Sequence, residues 1–329
     1  MSDPDMRRFC VVGLALAACA ADPAPMHREP PPRPSPTPPA IDPLFEDDAA
    51  FERLPPPDTT GWRARFDEPG QSYIDYLGTV PRRPGPGADR LYLLPLGEMG
   101  TAMVVDAELA YLVRTPSADA MAQLLTAFFG VPTEVLPAHP LADFAEPERI
   151  HRGHEQFRAQ SLLTHTAALL PSDAYSMTAL MVQDVYFDEE QTYAFGFGQH
   201  RDGQAVVSFS RIDPVVSGLA GEPDVLERLP PRAFKLLVHE VGHTFGFEHC
   251  TAYRCVMNGM ADLAELDATP LHLCPECLRK LLHVSPMDAA ARYQALTEVY
   301  EALQLDEASR WSRARARHTR REPARPDPP

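Results

Sequence analysis

The sequence predicts an α/β or α+β domain with a mixed sheet, a histidine-bearing helix and a helix-rich C-terminal part. Three observations support this prediction. Short apolar runs alternate with amphipathic stretches of helical period, which is typical of a sheet covered by helices. A stretch in the second half of the chain carries two histidines one helical turn apart, on the side of a predicted helix opposite its apolar face. From Pro275 to Leu305 the apolar residues recur at helical spacing only.

Composition limits the class of protein. The 329 residues suffice for one large domain or two small ones, and 44% of them are hydrophobic, enough for a packed core. The 46 acidic against 30 basic residues give a formal net charge of -16. Because nucleic-acid binding needs clustered Lys and Arg, this charge argues against a nucleic-acid partner.

The first residues resemble an export signal. Arg7 and Arg8 precede an apolar run that ends at Cys19, and residues 16–19 read Leu-Ala-Ala-Cys, as in a bacterial lipoprotein box. We therefore predict a signal peptide over residues 1–19, a lipid anchor on Cys19 and export to a cell envelope membrane. The alternatives are a secretory peptide cut elsewhere and a misplaced start codon, which would leave the protein in the cytoplasm. No other segment has the ~20 apolar residues of a membrane span.

The rest of the chain divides by composition. Residues 20–60 are rich in proline, which favours extended polyproline II structure, and we interpret them as a linker. Residues 61–307 form the predicted folded domain. Residues 308–329 are rich in Arg and Pro, and we predict a disordered basic tail there.

Local patterns predict several elements within the domain. They are a buried strand at Leu91–Leu94, a helix after Pro116 that ends at Gly130, a core strand at Thr178–Phe187, and a hairpin of Tyr193–Gly198 with Ala205–Ser210.

Residues 239–249, His-Glu-Val-Gly-His-Thr-Phe-Gly-Phe-Glu-His, combine a helical pattern with metal-ligand spacing. Upstream, Pro231 suits the first position of a helix. His239 and His243 are one turn apart, so both imidazoles can reach one tetrahedral zinc ion. Glu240 lies beside them, near the fourth coordination position.

The residues after the helix complete a predicted catalytic centre. Gly246 can adopt positive φ, so the chain turns and returns His249 as a third ligand. Three protein ligands leave one position open for a zinc-bound water, whose pKa falls to about 7. Glu240 would take the proton of this water and pass it to the leaving amine. Ordinary surface histidines would rarely match five fixed positions, and the other histidines lack ligand spacing.

Four cysteines predict a second metal site. Cys250 and Cys255, and then Cys274 and Cys277, have a spacing that suits a closed, all-thiolate structural zinc site. The cofactors would then be two zinc ions per chain, one catalytic and one structural. In an oxidising compartment, disulfides between Cys250 and Cys255 and between Cys274 and Cys277 are the alternative.

These residues resemble the archaemetzincin family of the metzincin clan. Its motif is the extended histidine helix followed at once by Cys250, then by Cys255 after four residues, Met257 two residues further on, and a distal Cys-x-x-Cys. The resemblance is close over residues 239–281 and extends to element order over residues 90–237. It implies a compact metzincin-like zincin domain, a zinc metallopeptidase or aminopeptidase, and Met257 as the Met-turn methionine beneath the zinc.

The resemblance also implies partners. A peptide or protein is the expected substrate, membrane contact is expected only through the lipid anchor, and Ala205–Ser210 would be the edge strand that pairs with an extended peptide. An interior strand is the alternative for that segment. The rival function is a zinc-stabilised binding module with little or no turnover. Glu240 favours the enzyme, because holding zinc does not require a carboxylate there. Exo- and endopeptidase action both fit the sequence, as does any oligomeric state.

Overall fold

The computed structural model describes residues 48–319, except for 58, 100–101, 105–110, 114, 191 and 201. The predicted leader with Cys19, residues 20–47 of the linker and residues 320–329 lie outside the described residues. Export and lipidation therefore stay predictions. No helix in the described part of the chain has the length and apolar character needed to cross a bilayer.

The described strands form three sheets. In chain order they are β1 (Arg90–Pro95), β2 (Ala102–Val104), β3 (Tyr111–Val113), β4 (Thr133–Val135), β5 (Arg149–His151), β6 (His154–Arg158), β7 (Ala174–Met181), β8 (Asp184–Tyr186), β9 (Gly196–Gln199) and β10 (Gln204–Ser208).

The central sheet has five strands in the order β4-β1-β7-β10-β9. The first four run parallel, and β9 pairs antiparallel with β10 at one edge. Strands β2 and β3 pair antiparallel with each other, and β5, β6 and β8 form a small third sheet. The mixed sheet confirms the predicted fold class, and the antiparallel pair confirms the predicted hairpin.

The helices, in chain order, are α1 (Trp62–Arg65), α2 (Tyr73–Gly78), α3 (Ala118–Phe129), α4 (Ala159–Thr166), α5 (Pro214–Ser217), α6 (Val225–Thr244), α7 (Leu263–Ala268), α8 (Pro275–Val284), α9 (Ala289–Ala302) and α10 (Asp306–Thr319). Helix α3 ends at Gly130, whose φ of 71° makes it the predicted left-handed cap.

Helices cover both faces of the central sheet, which explains why its parallel strands are apolar throughout. In β1, Leu91 and Leu93 belong to one buried cluster, together with residues of α3, α6 and α9. The alternate residues Tyr92 and Leu94 belong to a second cluster, together with residues of α4. The histidine-bearing helix α6 therefore packs directly against the sheet.

Helix α6 begins earlier than predicted. The prediction started the helix at Pro231, but the structure places both Pro230 and Pro231 inside it. A proline in a helix removes one backbone hydrogen bond. The first turns are nevertheless packed, because Val225 and Leu229 are buried, and this burial offsets the two lost bonds.

The described structure extends past both predicted boundaries of the folded domain. At the N-terminal side the fold starts before residue 61, because Phe51 is buried and Arg53 forms a β-bridge with Tyr253. At the other end, residues 308–319 belong to α10 and are not a disordered tail. The Trp311 ring stacks on His272 at 3.8 Å. Arg315 is 3% exposed and lies over the Phe51 ring. Its aliphatic stem is therefore packed, although the charge of the residue suggested exposure to solvent.

The predicted strand Thr178–Phe187 is two strands. β7 ends at Met181 and β8 begins at Asp184, in a different sheet. All of β8 is buried, as almost all of β7 is. The sequence pattern alone therefore does not reveal the break between the two strands.

Candidate active site

Helix α6 brings two of the predicted ligands together. The Nε2 atoms of His239 and His243 are 3.0 Å apart. On the far side of each ring, Nδ1 donates a hydrogen bond to a backbone carbonyl, at 2.8 Å to Val256 for His239 and at 2.6 Å to Phe247 for His243. These bonds fix the orientation of both imidazoles.

His249 reaches the same place from the segment after the helix. Gly246 has φ of 85°, the positive value predicted for the turn. A side chain there would also meet the His200 ring, because a Cβ atom would lie 2.9 Å from it. One ring nitrogen of each of the three histidines lies within 4.8 Å of the others. The structure therefore assembles the three residues that the motif predicted.

The geometry of the imidazoles fits a cation. A carbonyl oxygen only accepts hydrogen bonds, so His239 and His243 carry their protons on Nδ1, and both Nε2 atoms present lone pairs. Two lone pairs 3.0 Å apart cannot form a hydrogen bond with each other. The spacing is close to the roughly 3.3 Å edge of a zinc tetrahedron with bonds of 2.0–2.1 Å. Burial lowers the pKa of His243 to about 3 and that of His239 well below its ordinary value, so both rings are neutral.

Glu240 lies one residue after the first histidine and is 5% exposed. Its side chain is covered by β9, because a Cβ atom placed on Gly196 would lie 2.6 Å from Glu240 Cγ. Burial raises the pKa of Glu240 to about 8, and a cation held by the neighbouring imidazoles would lower it again. These two effects act in opposite directions on the pKa of the carboxyl group.

A cavity of about 680 Å³ opens over these residues. Its size is that of a ligand cleft rather than a packing defect. The lining includes the three histidines, Glu240, the chain from Tyr193 to Gly198 and, on the opposite side, Trp62, Phe66 and Glu68. One wall is therefore a strand edge, and the other comes from the segment before β1.

Met257 lies against α6. A Cβ atom on Gly242, the residue before His243, would be 2.5 Å from Met257 Sδ. The methionine is fully buried, and its carbonyl oxygen accepts a 2.7 Å hydrogen bond from the amide of Cys250. The turn that carries Met257 thus contacts both the histidine helix and the start of the cysteine segment.

The four predicted cysteines also meet. Cys250, Cys255, Cys274 and Cys277 are buried and free, and their sulfur atoms all lie within 4.8 Å of one another. Cys250 Sγ and Cys274 Sγ are 3.6 Å apart, close to the roughly 3.8 Å edge of a zinc tetrahedron with 2.3 Å bonds. Backbone amides of Cys274 and Cys277 donate to sulfur atoms of the cluster at 3.3 and 3.4 Å. The cluster is compatible with a zinc site.

The protonation of the cysteines supports the same interpretation. Burial raises the pKa of the Cys255 and Cys274 thiols, whereas hydrogen bonds from the three neighbouring thiols lower the pKa of Cys250. The cluster by itself therefore favours one thiolate stabilised by the other thiols. A bound cation would stabilise the remaining thiolates.

Sequence reasoning missed two contributors to the site. Glu68 accepts hydrogen bonds from His249 Nδ1 at 2.8 and 3.0 Å, and Trp62 packs its ring edge on His249 at 5.0 Å between ring centroids. Both precede β1, in a stretch without periodic apolar residues. Glu68 is 181 residues away from His249 along the chain, so no spacing rule relates them.

Comparison with known proteins gives consistent similarities. The sequence model of Peptidase family M54 matches residues 172–283. The chain is 31% identical to archaemetzincin of Natronomonas pharaonis over 40% of this chain and 73% of that protein. It is 26% identical to archaemetzincin-2 of Pongo abelii over 71% of this chain and 70% of that protein. The crystal structure of archaemetzincin from Methanopyrus kandleri superimposes with a TM-score of 0.43 at 22% identity, over 61% of this chain and 97% of that one.

Proposed function

The chain belongs to the archaemetzincins, the zinc metallopeptidases of Peptidase family M54, and on that basis we propose that it hydrolyses peptide bonds with Glu240 as general base and with His239, His243 and His249 as the zinc ligands. One observation carries this proposal. A buried and a partly buried imidazole, both neutral, direct unprotonated nitrogens at each other beside a buried carboxyl group in a cleft, an arrangement that a bound cation stabilises and that Glu240 can use.

The chain's own residues have distinct tasks in the reaction. When bound, zinc polarises the scissile carbonyl and lowers the pKa of water to about 7. Glu240 accepts the proton of the attacking water and passes it to the leaving amine. The hydrogen bonds from the Nδ1 atoms of His239 and His243 to the carbonyls of Val256 and Phe247 keep both Nε2 lone pairs directed into the site.

We also propose that the four cysteines hold a second, structural zinc ion. Cys250 directly follows His249, so this ion would fix the segment that carries the third histidine. The arrangement of the sulfur atoms supports this assignment over the two predicted disulfides, because all four cysteines are free and their sulfur atoms lie within 4.8 Å of one another, as the ligands of one ion would.

Removal of metal is the direct test of the proposed function. Dialysis against 1,10-phenanthroline is expected to abolish digestion of a peptide library by the purified protein, and added zinc is expected to restore it. Mass spectrometry of the products reads both the loss and the cleavage positions. Digestion that persists in protein free of metal would contradict the proposal.

The docking strand differs from the predicted one. Ala205–Ser210 was expected to be the cleft edge, but its strand β10 lies between β7 and β9 and is buried along its length. The edge is β9. Ser208 donates to the Phe195 carbonyl, so in this antiparallel pair the backbone groups of Gly196 and Gly198 point away from β10. We propose that these groups pair with an extended substrate.

The two glycines explain how an edge strand lies so close to the catalytic carboxyl group. A Cβ atom on Gly196 would collide with Glu240 Cγ, and one on Gly198 would collide with the Glu240 carbonyl oxygen. Any larger residue would therefore push the strand away from α6. Substitutions in β9 would disturb Glu240 itself, so docking is better tested by changing the substrate.

N-methylation of single amides in a cleaved peptide is expected to raise KM at alternate positions only. Loss of one neutral hydrogen bond corresponds to roughly 3- to 10-fold, and the alternation follows from the two-residue period of a strand. Steady-state kinetics on a scan of monomethylated peptides measures this pattern. Equal effects at consecutive positions, or none, would rule out strand pairing.

A further inference from the structure

The segment of residues 51–76, here called the N-terminal strap, runs along the chain that follows helix α6. Its backbone amide at Leu54 donates to the Ala252 carbonyl at 3.1 Å, and its Glu52 carbonyl accepts from the Arg254 amide at 2.8 Å. Further on, the Tyr76 hydroxyl donates to the Phe245 carbonyl at 2.9 Å. The strap therefore contacts the segment that carries His249 on both sides of that residue.

Within the strap, Glu68 directs its carboxylate at the ring of His249. Its two oxygens lie 3.0 and 2.8 Å from His249 Nδ1. The second oxygen also accepts a 2.8 Å hydrogen bond from Trp62 Nε1. The Trp62 amide is in turn held by Glu265 at 2.8 Å. The carboxylate is thus oriented by a second residue of the strap, which is itself tied to helix α7.

The three histidines differ in what holds them. His239 and His243 stand on one rigid helix and donate to backbone carbonyls. His249 lies after the end of the helix, in irregular backbone. A regular helix therefore does not hold its position as it holds the other two histidines. A side chain from elsewhere in the fold must supply that orientation, and a carboxylate partner also makes an imidazole a stronger metal ligand.

We propose that Glu68 is a positioning residue that holds His249 as the third zinc ligand and sets the metal affinity of the histidine site. The inference rests on the proposed function for the role of His249. With Nδ1 donating to Glu68, Nε2 of His249 carries the lone pair, as in the other two ligands. Because Glu68 orients His249, the strap completes the metal site.

The test measures metal affinity in the full protein without substrate. Cobalt(II) titration distinguishes the two sites, because thiolate ligands give sulfur-to-metal charge-transfer bands and imidazoles do not. Competition with a chromophoric chelator then gives the zinc Kd of the histidine site. Glu68→Ala is expected to raise this Kd about 10- to 100-fold. Glu68→Gln keeps an acceptor oxygen without the charge, so a smaller increase is expected.

Two further variants separate positioning from general support by the strap. Trp62→Phe keeps a ring on His249 but removes the donor to Glu68, and it is expected to raise the Kd by less than Glu68→Ala does. Glu52→Gln breaks an exposed strap ion pair with Arg254 and is expected to leave the Kd unchanged. A wild-type Kd in folded Glu68→Ala and Glu68→Gln, checked by circular dichroism, would overturn the proposal. An equally large increase of the zinc Kd in Glu52→Gln would also overturn it.

The outcome is separable from the fate of the proposed function. If wild-type protein binds zinc at the histidine site but cleaves no peptide, the peptidase proposal fails while the role of Glu68 is still decided by the Kd values. If peptides are cleaved and the Glu68 variants bind zinc like wild type, only the positioning role fails.

Discussion

Glu240→Gln is expected to lower kcat for peptide hydrolysis by about 100-fold or more while the zinc content stays at the wild-type value. The amide matches the carboxyl group in shape but accepts no proton. The side chain is buried beneath β9 without contributing a metal ligand, so neither the fold nor metal binding needs its charge. Steady-state kinetics on a cleaved peptide and metal analysis of the same sample measure the two quantities.

Glu248→Gln is the matched control. Glu248 belongs to the same eleven-residue motif but its side chain is exposed, so its neutralisation is expected to leave kcat unchanged. Equal hydrolysis by zinc-loaded wild type and Glu240→Gln would refute the general-base role. If neither hydrolyses peptides yet both bind them, the protein is a zinc-stabilised binding module instead.

Cys277→Ser is expected to remove one zinc ion of two and to lower the melting temperature by roughly 10 °C or more. A structural zinc site contributes several kcal/mol at least, and about 1 kcal/mol shifts Tm by 2–4 °C for a domain of this size. Cys277 lies on α8, whereas Cys250 adjoins His249. Loss of the shared ion is therefore also expected to weaken metal binding at the histidines.

Leu278→Ala separates the loss of a ligand from the loss of packing. Leu278 is the buried neighbour of Cys277 on the same helix, and its truncation costs about 2–5 kcal/mol while all four thiols remain. Calorimetry should therefore show a lower Tm with two zinc ions retained. In wild type, thiols are expected to become titratable only after chelation and denaturation. One zinc ion and no free thiols would instead support the disulfide alternative.

Local patterns predicted the parts of the site that lie close together in sequence. Residues 239–249 contain a helix, a turn and the three grouped histidines, and the positions of Gly246 and His249 follow from helical period and positive φ. The cysteine cluster follows from the same kind of spacing. The interactions within residues 239–249 span few residues, so propensity and geometry determine them without knowledge of the rest of the fold.

Contacts between distant segments escaped prediction for physical reasons. By its own sequence, either strand of the β9–β10 hairpin could be the edge strand of the central sheet. The pairing of β10 with β7 makes β10 the interior strand. Glu68 is one acidic residue in a non-periodic stretch, so nothing local marks it as the partner of His249. Helix α10 buries Arg315 through its stem, whereas composition counts only the charge.

The strap links residues that are synthesised early to residues that are synthesised late. Glu68 leaves the ribosome well before His249, because 181 residues separate them. Closing so large a loop costs little more than closing a short one, about 0.6 kcal/mol per doubling of length, but long-range contacts form slowly. The contact between Glu68 and His249 therefore forms only after the later segment has been synthesised, and a shorter nascent chain lacks it.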